Sequence, residues 1–350
     1  MRRLVIIGVV ALQLATLAWM AGEREWVLRT GKTVWLRTAP IDPQDPMRGD
    51  YVRLNYEIGT VPKSLCRDGI LAWFDAARVR SYERARERRV YASVQLDAEG
   101  VGHLSALSDR RPAEGVFLRG RSGAVYPSGL DARFGIEAFF MQQGKARAFE
   151  ETQGGEKAGV PLDMEVAVSS SGLAVLKGYR WEPLGLTIVL DRNPPATGNS
   201  TERRPGVRGL TIELKNHGDV PQAVVTAPRA FRLVPAAPRW TVDESDGWRW
   251  VGEKGPMGAL SPSDVVVLPP HTSFQQHIDL TTPVWFVQKR DGKNAGVPVS
   301  IESLGSDWSA AFRIEYAPPS VVECTGLPQA EMIRHASVSS RRFNAAAGVD

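Results

Sequence analysis

The sequence predicts a mainly β protein in three parts: an N-terminal transmembrane helix, a β-rich domain with a minor helix, and an immunoglobulin- or fibronectin-like β-sandwich. Three observations carry this expectation. Residues 4–22 contain no charge. From residue 26 onward, short runs rich in branched and aromatic residues alternate with Gly, Pro and Asp turn signals. Only one later stretch, residues 71–89, carries a helical period. With 350 residues the chain has room for two hydrophobic cores.

The first element is set by length. An uncharged helix from Leu4 to Gly22 reaches about 28 Å, close to the hydrocarbon thickness of a bilayer. Arg2 and Arg3 precede it, and Trp19 and Trp26 flank its far end as interfacial aromatics do. Thr16 with Ala18 is a poor cleavage signal, and Trp19 and Met20 spoil the neighbouring sites, so an uncleaved anchor is expected rather than a cleaved signal. Arg24, Arg29, Lys32 and Arg37 follow the span, but long domains cross largely regardless of nearby charge. The soluble part is therefore expected in the periplasm, with the chain held in the inner membrane by one pass.

The expected organisation is an anchor over residues 1–22, a β-rich domain over 23–185, a β-sandwich over 186–326 and a loose tail over 327–350. The β-rich domain opens on a hairpin reading, WVLRT and TVWLRT about a Gly31–Lys32 turn. A DPQDP turn then feeds the strand DYVRLNYEI, and further strands follow the helical stretch. Residues 191–206, DRNPPATGNSTERRPG, are either an interdomain linker or a long loop early in the second domain. Beyond them, about eight short strands with regular turn signals read as a sandwich.

Composition excludes several chemistries. Net charge is +4, and both signs balance over 186–350. The arginine-rich run between Arg78 and Arg89 reads as a solvated helical face or loop with Glu–Arg pairs in preference to a basic patch that binds phosphates, and no nucleic-acid partner is expected. Cys66 and Cys324, the only cysteines, cannot build a zinc site; a pair and two buried thiols both stay open. His271 and His277 lie too far apart on one strand for joint metal ligation. Nucleophile-elbow, zincin, P-loop and dinucleotide motifs are missing, and no cofactor is expected. Trp240, Trp248 and Trp250 suit hairpin packing better than a ligand groove.

The chemically richest stretch is GDYVRLNYEI, residues 49–58. Strand alternation puts Val52, Leu54, Tyr56 and Ile58 on an apolar face and Tyr51, Arg53, Asn55 and Glu57 on a polar one. Gly49 and Asp50 suit the turn ahead of it. The tripeptide Arg48–Gly49–Asp50 matches an adhesion motif by chance, since the longer motif accounts for it. In RFGIEAFF, Arg133, Gly135, Glu137 and Phe139 share a face, and Glu137 and Glu150 are the residues that could join Asp50 or Arg53 in a polar cluster across strands. Asp50, Glu57 and Glu137 have the chemistry of an acid–base set, but turn and strand-end carboxylates more often satisfy backbone and arginine donors.

GDYVRLNY at 49–56 resembles the signature of the GDYXXLXY family of membrane-anchored bacterial proteins. The approach VWLRTAPIDPQDPMR and the later blocks VYASVQLD, VFLRGR, RFGIEAFFMQQGKARAFE and EVAVSSSGLAVLKG extend the resemblance over residues 1–182, with Gln44 and the FFMQQG segment as small departures. The resemblance implies an anchored, extracytoplasmic β domain without established activity, in the company of polytopic membrane proteins. The expected partners are thus the bilayer, through residues 4–22, and a polytopic membrane protein. The candidate interaction residues are Gly49, Asp50, Tyr51, Arg53, Leu54, Tyr56, Glu57 and Glu137. The alternative is a cell-envelope hydrolase using Asp50, Glu57 or Glu137; a weaker one is a ligand sensor at the tryptophan-rich edge. In the second domain, TIELKNHGD and VVVLPPH are similar to bacterial immunoglobulin-like modules, with His271 where glycine is usual.

Overall fold

The computed structural model describes residues 2–38, 51–79, 87–126, 129–140, 149, 160–192, 207–227, 230–235, 248–250, 260–280, 286–289, 298–300, 311–344 and 348–349. The fold is mainly β, with a long apolar helix and a minor helix among the described residues.

Helix α1 spans Arg2–Thr30, so it continues well past the uncharged stretch. This corrects the hairpin reading. WVLRT is the last turns of α1, supported by the i,i+4 pair of Arg29 with Glu25 at 2.8 Å. Gly31 closes the helix, its N–H donating to the Val27 carbonyl at 2.8 Å. A Cβ there would stand 2.6 Å from that same oxygen, which is why the position takes glycine.

The first unit follows with β1 (Lys32–Arg37), β2 (Tyr51–Arg53), β3 (Thr60–Pro62), α2 (Asp68–Val79), β4 (Arg89–Leu96) and β5 (Gly102–Ser108). It continues with β6 (Val116–Tyr126), β7 (Gly129–Arg133), β8 (Ala138–Phe140), β9 (Leu162–Val168) and β10 (Ala174–Trp181). The helical period expected over 71–89 is thus cut short, because Arg89 already opens a strand. The ladders between the described strands are antiparallel: β3-β7-β6-β4-β5 form one sheet, β1-β9-β10 a second and β2-β8 a third. Their inward residues, among them Val34, Leu36, Leu54, Ile70, Leu107 and Leu118, make one core.

The second unit holds β11 (Leu184–Arg192), β12 (Val207–Asn216), β13 (Gln222–Val225), β14 (Phe231–Pro235), β15 (Trp248–Trp250) and β16 (Val265–Leu268). Then come β17 (Ser273–Asp279), β18 (Phe286–Lys289), β19 (Pro298–Ser300), β20 (Ala311–Tyr316), β21 (Val338–Ser339), β22 (Phe343–Asn344) and β23 (Gly348–Val349). β11 and β12 pair from Leu184↔Asn216 to Arg192↔Val207, so the Pro- and Gly-rich stretch joins two neighbouring strands of one hairpin and is not an interdomain linker. Three sheets contribute to a second core, and the Val225 N–H donates to the Tyr316 hydroxyl at 2.9 Å between two of them.

Two features of the second unit explain sequence signals. Buried Asn216 donates to the Val220 and Leu268 carbonyls at 2.9 and 3.0 Å and accepts from Gly218 N–H at 2.9 Å, stapling the NHGD turn to the end of β16. His271 sits at φ 61, the left-handed region that favours glycine. The segment 327–350, expected as a loose tail, has its own pairing. β21 and β22 add to β20, Phe343 is buried, and Ser340 exchanges hydrogen bonds with the Ile314 backbone at 2.8 and 3.0 Å. Polar residues between its few apolar anchors had hidden them.

Candidate functional site

The motif strand alternates as its sequence dictates. Val52, Leu54, Tyr56 and Ile58 are buried, Arg53 and Glu57 are exposed and Asn55 is intermediate. Only Tyr51–Arg53 is ladder strand, paired to β8 with Val52 opposite Phe139. The chain then closes into a 3-10 turn at Glu57–Gly59. Leu54 N–H donates to the Glu137 carbonyl at 2.8 Å, and the Tyr56 hydroxyl donates to the Ile136 carbonyl at 2.9 Å. Burial, with Glu137 nearby, pushes the Tyr56 phenol well above its ordinary range, so it stays a neutral donor. The residues that name the motif at 54 and 56 therefore pack the core.

Glu137 is spent locally. Its two oxygens accept from the Phe134 and Gly135 N–H groups at 2.5 and 2.9 Å, capping a turn in which Gly135 has φ 80. Its backbone meets the motif strand, but its carboxylate serves its own loop. Arg53 points outward from β2 and takes part in no ion pair among the described residues. Glu57 keeps an exposed surface, yet the surrounding protein mass raises its carboxyl above the ordinary range against the pull of Arg37 and Arg313. Gly49, Asp50 and the side chain of Tyr51 lie outside the described residues, as does Trp240. Cys66 and Cys324 belong to different cores. His277 pairs with Asp191 at 2.9 Å and His271 with Asp219 at 3.6 Å. Among the described residues no group of three His, Cys, Asp or Glu is placed to hold a metal.

Two charged assemblies escaped the sequence reading. The first lies where the two units meet. Arg37 on β1 is buried and donates to Asp163 on β9 at 3.0 Å, to Glu182 at 3.3 Å and to the Ser337 carbonyl. Glu182, between β10 and β11, also holds Arg334 of the carboxy-terminal segment, and Arg334 reaches Glu99 at 3.3 Å. Arg180 completes the group, 3.4 Å from Asp163, with its guanidinium 4.2 Å from the Trp35 ring centroid. Burial opposes the charge on Arg37, but Asp163 and its hydrogen bond outweigh it and hold the guanidinium above its usual range. Spread over about 300 residues of chain, these partners have no local spacing that a sequence reading could detect.

The second assembly is a groove of about 590 Å³ on the outer face of the five-stranded sheet. Arg89, Arg119, Arg121 and Arg133 line it together with Glu87, Glu137 and Leu173. The only hint in the sequence was the arginine run ending at Arg89, which brought no sign that β6 and β7 place two more arginines beside it.

Comparison with known proteins falls on the first of the two units. No curated protein and no solved structure matches the chain significantly. Residues 13–178, from the middle of α1 to the middle of β10, match the profile of the family described as GDYXXLXY protein. The buried Leu54 and Tyr56, and the Glu137 and Ile136 carbonyls that they meet just ahead of β8, lie inside that stretch, and it is over this first unit that the chain is similar to the GDYXXLXY family.

Proposed function

We propose that the protein is a single-pass accessory of a polytopic membrane protein, held in the inner membrane by residues 4–22 with its soluble part in the periplasm. In this reading it performs no reaction of its own. The second unit is an immunoglobulin-like module whose loops and edge strands offer the contact.

The observation that carries the reading is α1. Its large apolar side chains, from Leu4 to Trp26, are exposed along its length, while Val27 in its last turns is buried against the first unit. An uncovered helix whose most apolar 18-residue window has a mean hydropathy of 2.2 supports a lipid surround in place of protein. The spending of Leu54, Tyr56 and Glu137 on packing and turn capping supports a structural motif over a reaction centre.

The test is extraction of native membranes with alkaline carbonate, followed by crosslinking and recovery of the chain. The expected result is retention in the membrane fraction together with a multispan partner. A soluble chain that has lost residues 1–22, or recovery with no membrane partner, contradicts the reading. Amide replacements at Asp50 and Glu57 complete the test, since preserved folding with a lost envelope phenotype favours the hydrolase instead.

A further inference from the structure

Among the described residues, the groove on the outer face of the five-stranded sheet is lined by more guanidinium groups than carboxylates. Register places Arg89 of β4 opposite Arg121 of β6, and Arg121 opposite Arg133 of β7. Directly opposed residues of antiparallel strands share a face with Cβ atoms about 5 Å apart, where like charges repel. Arg119, two residues along β6 and opposite Tyr91, adds a fourth guanidinium. Among the described residues, Arg121 pairs with Glu87 at 3.5 Å, both exposed. Glu137 lines the same groove and adds a second negative charge, with its oxygens oriented by the Phe134 and Gly135 amides, so two carboxylates stand among these arginines. Arg89, Arg119 and Arg133 make no ion pair with any described residue.

The groove also has a definite position relative to the anchor. At Gly31, where α1 ends, a Cβ would stand 3.1 Å from the Val168 nitrogen, at the end of β9. Val168 opens the Ser169–Leu173 turn, closed by the Ser169 N–H donating to Leu173 O at 2.9 Å. That turn lies on the groove: the Gly172 carbonyl accepts from Arg119 N–H at 2.7 Å, and Leu173 lines the groove wall. From Gly22 to Thr30 the helix rises only about 12 Å. The arginine row thus begins beside the turn that α1 meets on leaving the apolar layer.

We propose that this row binds the phosphate headgroups of anionic lipids in the membrane that α1 spans. The inference rests on the anchored reading above. Guanidinium forks pair bidentately with phosphate oxygens, and a row of three across neighbouring strands offers such forks side by side. Bound phosphates turn the cross-strand repulsion into attraction.

The experiment uses the full chain in neutral detergent micelles, titrated separately with phosphatidylglycerol, phosphatidylcholine and inorganic phosphate, with bound lipid read by native mass spectrometry. Phosphatidylglycerol is expected to bind at least about tenfold tighter than phosphatidylcholine, and this preference to fall about tenfold in the R89Q/R121Q/R133Q variant. Arg232→Gln, an exposed arginine of the second unit, is expected to leave it unchanged. Should the triple variant fail to fold, Arg133→Gln alone carries the test through an expected loss of about threefold. Equal binding of the two lipids, or undiminished preference in the variants, overturns the proposal. Displacement of the lipid by an equal concentration of inorganic phosphate overturns the lipid as the source. Carbonate extraction separates the two readings: release from membranes defeats the anchor, whereas retention without lipid preference defeats only this site.

Discussion

At the junction of the two units, Arg37, Arg180 and Arg334 are buried or half-buried with Asp163, Glu182 and Glu99, whereas on the outer sheet face Arg89, Arg119 and Arg133 make no ion pair with any described residue. The same side chain answers to different physics in the two places. Inside, a guanidinium loses its water and is tolerated only because carboxylates and a backbone carbonyl replace it. Outside, water solvates each arginine, so the protein can leave like charges side by side at little cost to folding and keep them for a ligand. The comparison teaches that charge content alone does not separate structural from binding arginines. The presence of a buried partner does.

The junction side of this comparison breaks most readily at Glu182. Glu182→Ala strands Arg37 and Arg334 in a buried site and is expected to lower stability by about 3–5 kcal/mol, read from denaturant unfolding in detergent. A loss under about 1 kcal/mol means that water enters the junction freely. Next in size is Leu54→Ala, which removes a fully buried side chain of the motif and costs about 2–4 kcal/mol in the same assay. Tyr56→Phe deletes only the hydrogen bond to Ile136 and leaves a buried carbonyl short of one donor, an expected loss of about 1–2 kcal/mol. Glu57→Gln sharpens the contrast from the exposed side. Its surface is open, so the change is expected to stay within about 0.5 kcal/mol, and a loss as large as that of Glu182→Ala places Glu57 inside the junction network.

What the sequence discloses depends on how local the determining contacts are. The alternation of residues 52–58 is a property of neighbouring residues, and the apolar face assigned to Val52, Leu54, Tyr56 and Ile58 is the face that packs. The span of α1 follows from an unbroken uncharged run. By contrast, Trp26, Val27 and Leu28 have strand-like chemistry, and only the preceding helix with its Glu25–Arg29 pair carries them into α1. Gly31 signals a break in either case, but nothing local says whether it ends a helix or turns a hairpin. The junction joins Arg37 to Ser337 across almost the whole chain, and the arginine row depends on the registers of β4, β6 and β7. Neither has a signature in sequence spacing, because pairing register emerges only once the sheet is assembled.

The central claim is that the exposed arginine row is not needed for folding and the enclosed one is. It is tested most directly by thermal unfolding of R89Q/R121Q/R133Q beside the parent chain in lipid-free neutral detergent at low salt. The expected midpoint equals or exceeds that of the parent, since removing three guanidinium groups relieves repulsion, and the difference closes as salt screens it. A midpoint lowered as far as that of Glu182→Ala contradicts the account, because it makes the outer row part of the scaffold.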